Sequence, residues 1–342
     1  MSEPFVIFRW SNAFKGPAGK AKIRSSVDDF IVNEQLGFDP MGIGEHVFLQ
    51  IEKCAENTDY VARELARFTH VDKRDIGYAG LKDRQAKTTQ WFSVWLPGKP
   101  EPDWTDFETD NIKIIKSVRH SKKLKRGSLR GNEFTLTVRN WIGDKDKTHS
   151  ILESIRLNGI PNYFGSQRFG MEGGNVNKAL AMFRGVRVKR HQRGLYLSAV
   201  RSFLFNSILS HRVEQNSWNK ALPGDVFSFD QSRSYFKSEK PDQDIIQRLD
   251  AGKIHPTGVM WGIGESDTSA VSGDIENQVL DQYPELTQGL IRSKVEISRR
   301  ALGVNVENVQ WNFISDTDLR LTFSLPAGSY ATSVLREIIE IV

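Results

Sequence analysis

The chain has 342 residues, long for one ordinary domain and enough for two, or for one carrying a large insertion. Apolar residues make up 39% of it, which supplies sizeable cores and excludes wholesale disorder. Lys and Arg outnumber Asp and Glu by 47 to 42, a surplus so mild that only its clustering can point to a polyanionic partner.

The first third alternates short strands and helices. Phe30-Ile31-Val32 is extended, a turn follows at Gly42-Ile43-Gly44, and His46 to Ile51 reads as a strand with Val47, Leu49 and Ile51 on one face. Asn57 and Thr58 are good caps for a helix carrying Val61, Leu65 and Phe68. Trp91 to Trp95, Ile112 to Val118 and Phe134 to Val138 read as strands. Strands this close, without long helices between them, predict a mainly antiparallel or mixed sheet and hence an α+β fold. A helix over Ser150 to Leu157 ends at Asn158-Gly159 with Pro161 beyond, and a domain boundary is expected there. The next stretch is helical, with stripes Val176, Leu180, Phe183 and Tyr196, Val200, Phe203, Leu204. Gln231 to Asp244 reads as an exposed polar loop. Pro284 opens a helix expected to run toward Ala301 and stop near Gly303. Leu319, Leu321, Phe323 and Leu325 alternate as a strand, Pro326-Ala327-Gly328 turns, and a helix carries Val334, Leu335, Ile338 and Ile339. A strand and helix returning after a helical region suggest that the middle is an insertion.

Cys54 is the only cysteine, which rules out an intrachain disulfide and a cysteine-built zinc site and fits a reducing cytoplasm. The start, MSEPFVIFRW, lacks the pattern of a signal peptide, and no run reaches the roughly 18–20 apolar residues of a membrane span. A soluble, cytoplasmic protein with no membrane partner is expected.

The densest cluster of special residues is Asp75-Ile76-Gly77-Tyr78-Ala79-Gly80-Leu81-Lys82-Asp83-Arg84. Two glycines permit tight turns and close approach to a ligand. Asp83 lies between two cations, and cations within about 4–6 Å favour an ionised carboxylate, which can act as nucleophile or base. A solvated charged turn has the same pattern. Basic residues crowd Arg119, Lys122, Lys123, Lys125, Arg126 and Arg130, and again Arg184, Arg187, Lys189, Arg190 and Arg193. Such clusters can neutralise phosphates or simply face solvent, and two of them favour a grip on RNA. Phe30, Phe134, Phe164, Phe169 and Tyr330 could stack on unpaired bases, although most aromatics are core. No phosphate-binding fingerprint, metal spacing or nucleophile elbow is present. The pattern alone reaches a basic, two-domain protein with one notable Asp, and on that evidence an RNA-binding protein without catalysis ranks first.

The run Gly77 to Arg84 with Thr88-Thr89-Gln90-Trp91-Phe92-Ser93 closely resembles the signature of the TruD family of tRNA pseudouridine synthases. Similar motifs run through most of the chain: Asp29-Phe30-Ile31-Val32-Asn33-Glu34, Gly44-Glu45-His46, Lys53, Asn57-Thr58 and Gly131-Asn132-Glu133-Phe134. Beyond these come Pro161 to Gly170, His255-Pro256-Thr257-Gly258 with Trp261-Gly262, and Leu325-Pro326-Ala327-Gly328-Ser329. The resemblance implies a pseudouridine-synthase domain over 1–158 and 306–342, a mixed, largely antiparallel sheet flanked by helices, with an α/β TRUD domain inserted at 159–305. It implies an isomerase acting on uridine 13 in the D arm of glutamate tRNA, with Asp83 as nucleophile, no metal and no cofactor. The tRNA is its expected partner, and a monomer without an obligatory protein partner is expected. Phe30 and Asn132 match residues lining the uridine pocket, and Phe134 and Arg24 are expected beside substrate. Tyr330 stands where the family pattern has Phe. Gly258-Val259-Met260 departs from the more usual Gly-Pro-Leu. Lys82, Arg84, Lys122, Lys123 and Arg126 are candidates for the RNA backbone.

Overall fold

The computed structural model describes residues 10–232 and 234–342. The opening segment 1–9, most of the stretch read for a signal peptide, lies outside the described residues, as does Arg233 in the polar stretch. From Gly19 the chain forms β1 (Gly19–Lys22), β2 (Phe30–Leu36), β3 (His46–Cys54), α1 (Thr58–Phe68), β4 (Ile76–Tyr78), β5 (Lys87–Trp95), β6 (Ile112–His120) and β7 (Leu129–Gly143). Next come α2 (Lys145–Asn158), β8 (Ile160–Pro161), α3 (Gly174–Phe183), α4 (Arg190–Glu214), β9 (Val226–Phe229), β10 (Tyr235–Lys237), α5 (Gln243–Asp250) and β11 (Ile254–Met260). Then follow α6 (Ala270–Leu280), α7 (Pro284–Arg292), β12 (Ser298–Ala301), β13 (Gly303–Val304), β14 (Glu307–Phe313), β15 (Leu319–Pro326), α8 (Ala331–Ile338) and β16 (Ile339–Ile341).

Two compact units result. One holds Gly19–Gly143, Glu307–Gly328 and Glu340–Val342. Its sheet runs β14-β15-β7-β2-β5-β3-β6, and along that path only β2 and β5 are parallel. The alternation seen in the sequence puts Val47, Leu49 and Ile51 on the face where α1 packs Val61, Ala62 and Leu65, together with Phe92 and Val94 of β5. Asn57 caps that helix, its side chain accepting the Tyr60 N–H at 2.8 Å. β7 is long enough to bridge β2 and β15 in register, so Glu34, Asn132 and Leu325 lie side by side across three strands.

The other unit holds the described residues up to Ala18 and those of Asp144–Val306 and Ser329–Ile339. Helix α4 is its spine, burying Tyr196, Val200, Phe203 and Leu204 against Val176 of α3, Val259 of β11 and Leu286 and Leu290 of α7. A small sheet, β10-β9-β11-β12, completes it. Two ion pairs are fully internal, Arg212 with Asp225 at 2.9 Å and Arg299 with Glu276 at 2.7 Å.

The seam of this division lies at Gly143/Asp144, upstream of the boundary expected at 158/159. Ser329–Ile339 also groups with the middle of the chain, because α8 holds the segment before Ala18: Glu337 accepts the Ala13 N–H at 2.8 Å, and Arg336 donates to Asn12 Oδ1 at 2.8 Å. The helix opened by Pro284 is shorter than its pattern suggested. It ends at Arg292, and Ser298–Ala301 instead pairs with β11. The polar stretch 231–244 likewise holds β10 and the start of α5, so it is not one loop.

Candidate active site

Asp83 sits on a loop between β4 and β5 that buried side chains fasten from below. Thr58 Oγ1, at the first residue of α1, accepts the Lys82 N–H at 3.0 Å and donates to Gln90 Oε1 at 2.9 Å. Gln90 Nε2 in turn donates to the Gly80 carbonyl at 2.7 Å. Thr58 and Gln90 are both buried, so the loop backbone is held at two points by a relay that water does not loosen. The Lys82 side chain is 7% exposed while that of Asp83 is 44% exposed.

The cation that meets Asp83 comes from 59 residues away. Arg24 Nη2 donates to Asp83 Oδ2 at 2.6 Å, a charge-assisted hydrogen bond. The same guanidinium lies over Phe30, with Cζ 4.1 Å from the ring centre. Arg24 holds a left-handed backbone conformation, φ 58°, which a residue with a side chain adopts only when its surroundings impose it. Beneath Arg24 the rings are core. Phe30 meets Phe134 edge-on at 6.3 Å, and Phe134 stacks on Phe323 at 5.4 Å. Phe30 is buried under Arg24, so its present role is to seat the guanidinium, and a base could stack on it only after the guanidinium moved.

Neither chain neighbour of Asp83 pairs with it. Lys82 turns inward to Glu34 Oε2 at 2.8 Å and to Asn132 Oδ1 at 2.5 Å. Lys82, expected among the backbone contacts, therefore has its partners inside the protein in this structure. Arg84 donates through Nε to the Ala55 carbonyl at 3.0 Å. Glu34 also accepts the Trp91 N–H, so this buried carboxylate ties β2 to β5 as well as to the loop. Close by lies Lys53, wholly buried, whose Nζ donates to the Glu56 carbonyl at 2.6 Å. Burial, and then repulsion from Lys82, push its pKa down to about 8, while the Asp83 charge opposes the shift.

Sequence reasoning placed Glu34, Lys53, Thr58 and Gln90 in the motifs shared with the family, and Thr58 at a helix cap, but gave none of them a role at the site. A signal for the first two exists: each continues the inward period-two row of an otherwise apolar strand, Val32 then Glu34, and Ile51 then Lys53. A charge at such a position is either a partnered residue or a functional one.

The basic loop between β6 and β7 belongs to this unit and touches the Asp83 loop, the Gly127 N–H donating to the Ala79 carbonyl at 2.8 Å. Lys122 and Lys125 are exposed, and neither has an ion pair among the described residues. Lys123 is spent on the Arg74 carbonyl, and Arg126 lies over Tyr78 at 5.7 Å. In the other unit, Tyr330 caps α8 and its hydroxyl accepts from Arg168 at 3.0 Å, so the added oxygen is used within the protein. Arg300, whose pKa burial lowers to about 10, lies over Phe164 at 4.1 Å and donates to Asn162 Oδ1. These contacts account for much of the Pro161-to-Gly170 motif. Arg187, Arg190 and Arg193 are exposed around the start of α4. Among the described residues no three His, Cys, Asp or Glu side chains gather in a way that could hold a metal, and no helix is long and apolar enough to cross a membrane.

A family model described as tRNA pseudouridine synthase D (TruD) matches residues 13–181 and 171–338. The chain belongs to the TruD family. Among its relatives, the tRNA pseudouridine synthase D of Methylococcus capsulatus is 48% identical over 94% of this chain and 91% of its own. The TruD protein of Hydrogenovibrio crunogenus is 38% identical over 100% of this chain and 99% of its own. A crystal structure assigned to TruD of Methanosarcina mazei superposes with a TM-score of 0.73 at 22% identity, covering 96% of this chain and 95% of that one, and shows the same fold. TruD membership makes the chain an isomerase, one of the enzymes that convert uridine to pseudouridine in tRNA.

Proposed function

We propose that this enzyme isomerises uridine 13 in the D arm of glutamate tRNA, with the Asp83 carboxylate as nucleophile. One observation carries the assignment of Asp83: it is the half-open carboxylate of a loop fastened beside it by Thr58, Gln90 and the inward Lys82–Glu34 pair, and Arg24 holds it at 2.6 Å. The reaction breaks N1–C1′, turns the uracil, and joins C5 to C1′, while the C5 proton leaves and N1 gains one. A stacked uridine cannot present C1′ to a carboxylate, so the nucleotide must first swing out. Asp83 then works at the sugar, and the protein holds the freed uracil until it rejoins. Asn132, beside Lys82, supplies a polar contact for the base. The domains are proposed with the bounds the resemblance implies, a catalytic domain over 1–158 and 306–342 that contains the whole sheet unit, and an inserted TRUD domain over 159–305 that contains α4. The enzyme is taken to act as a cytoplasmic monomer with no obligatory protein partner and no cofactor.

The test uses D-arm RNA tritiated at uracil C5. Wild type should release tritium to water and Asp83→Ala should not, with RNA binding retained. Release by both proteins would unseat Asp83, and release by neither would return the chain to a binding role.

A further inference from the structure

The motif His255-Pro256-Thr257-Gly258 plays no part in the chemistry assigned to Asp83, and its first two residues line a cavity. The cavity measures about 390 Å³ and lies wholly within the α4 unit. That volume is small for a ligand pocket but ample for a ligand of a few heavy atoms. Two helices end on it, α2 at Asn158 and α5 at Asp250, and a helix C-terminus carries partial negative charge. Among the described residues no Lys or Arg lines it. A phosphate or carboxylate ligand is disfavoured on both counts.

The polar groups left unspent on its walls are mostly acceptors. Asn158 Nδ2 donates to the Ser154 carbonyl at 3.0 Å, and Asn305 Nδ2 donates to the Gly252 carbonyl at 2.9 Å. A carbonyl only accepts, so each amide must face it with nitrogen, and each Oδ1 is left without a donor among the described residues. His255 is 9% exposed, and its Nε2 meets Asp230 Oδ1 at 3.0 Å. In the neutral ring that carboxylate fixes the proton on Nε2 and leaves Nδ1 as an acceptor. Nδ1 borders the gap that Gly303 leaves: a Cβ there would stand 3.8 Å from it and 3.0 Å from Trp218 Cζ3. Asp250 adds an exposed carboxylate with no ion pair among the described residues. Against these acceptors the side-chain donors are only Trp218 Nε1 and the Asn219 amide.

We propose that this cavity binds a primary alkylammonium cation. Such a group has three donors and no acceptor, the complement of what Asn158, Asp250, His255 and Asn305 offer. Leu157, Leu249 and Pro256 supply the apolar wall for its chain. The site stands apart from the uridine-isomerase reading, since none of its residues belongs to the Asp83 relay.

Calorimetric titration of the full chain with n-butylammonium chloride tests it, with N-butylacetamide as the uncharged control and inorganic phosphate as the anionic one. The cation should bind saturably, with a dissociation constant on the order of 1 mM or below, and neither control should bind. Asn158→Asp adds a carboxylate at an exposed point of the lining and should tighten binding about two- to fivefold. Asn158→Lys puts a competing ammonium there and should weaken binding by about tenfold or more. Gly303→Ala should weaken it too, by closing the gap between Trp218 and His255, and the Asn158 pair decides the matter if that variant fails to fold. Tighter binding of putrescine than of a lysine blocked at both ends would mark a free amine as the occupant, and the reverse order a lysine side chain. Affinity that ignores the charge at position 158, or no binding at about 10 mM, would overturn the proposal.

Discussion

Arg24 joins two tasks in one side chain, since its guanidinium grips Asp83 while resting on Phe30. A preorganised donor aimed at a reacting carboxylate has its effect in the chemical step. Arg24→Gln should therefore lower the maximal rate of tritium release by about 10²-fold while leaving RNA affinity within about threefold. A loss of affinity with an unchanged maximal rate would instead make Arg24 an RNA contact. Lys53 gives a second prediction at this scale. Its folded pKa of about 8 lies below the ordinary 10.5, so the folded state disfavours the charged form. Below pH 8 both states hold the proton and folding carries the full cost, ~3 kcal/mol at about 1.4 kcal/mol per unit. Between about 8 and 10.5 only the unfolded chain still binds the proton, so stability rises with pH through that window. Lys53→Met should be the more stable protein at pH 7, with its advantage over wild type shrinking as pH climbs to 10.5. Urea unfolding at several pH values measures this, and a constant difference would mean that Lys53 keeps its ordinary pKa.

At the scale of elements, α1 and β5 hold the backbone of the Asp83 loop through Thr58 and Gln90. Thr58→Val preserves shape but removes the acceptor for the Lys82 N–H and the donor to Gln90, leaving buried polar groups unpaired. The expected cost is about 1–3 kcal/mol of stability, with a tenfold or greater fall in turnover as the loop loosens. A variant that loses stability but turns over normally would show that the relay supports the fold alone. The same contrast explains what could be read from the sequence. Strands β3, β5 and β7 and helices α1 and α4 were legible because their periodicity is local. Strand β12 was not, since Ser298–Ala301 is Ser-Arg-Arg-Ala and becomes a strand only by pairing with β11. The notable Asp was legible from its loop, but its partner was not. Lys82 and Arg84 flank Asp83 in the chain yet point elsewhere, and Arg24 arrives through the fold.

For the whole molecule, a net charge of +5 is too small to explain an RNA grip by itself, so the location of unpaired cations matters. Much of the first basic cluster is committed internally: Arg119 to Glu101 at 3.1 Å, Arg130 to Glu307 at 3.4 Å, and Lys123 to a backbone carbonyl. Lys122 and Lys125 are not committed, and the Gly127–Ala79 hydrogen bond fixes their loop against the loop that carries Asp83. On the reading that Asp83 receives the target nucleotide, these two are the uncommitted cations of the loop fastened to its own. Each phosphate neutralised releases counterions and steepens the fall of affinity with salt by about 0.7–0.9 in the log–log slope. Lys122→Glu with Lys125→Glu should therefore weaken tRNA binding at low salt and flatten that slope by about one to two units. Tritium release at saturating RNA should stay near wild type, because neither side chain supports the Asp83 relay. Binding isotherms from about 50 to 200 mM salt read the slope directly. An unchanged slope would take this loop off the interface and leave the exposed arginines around the start of α4 to carry the electrostatic share.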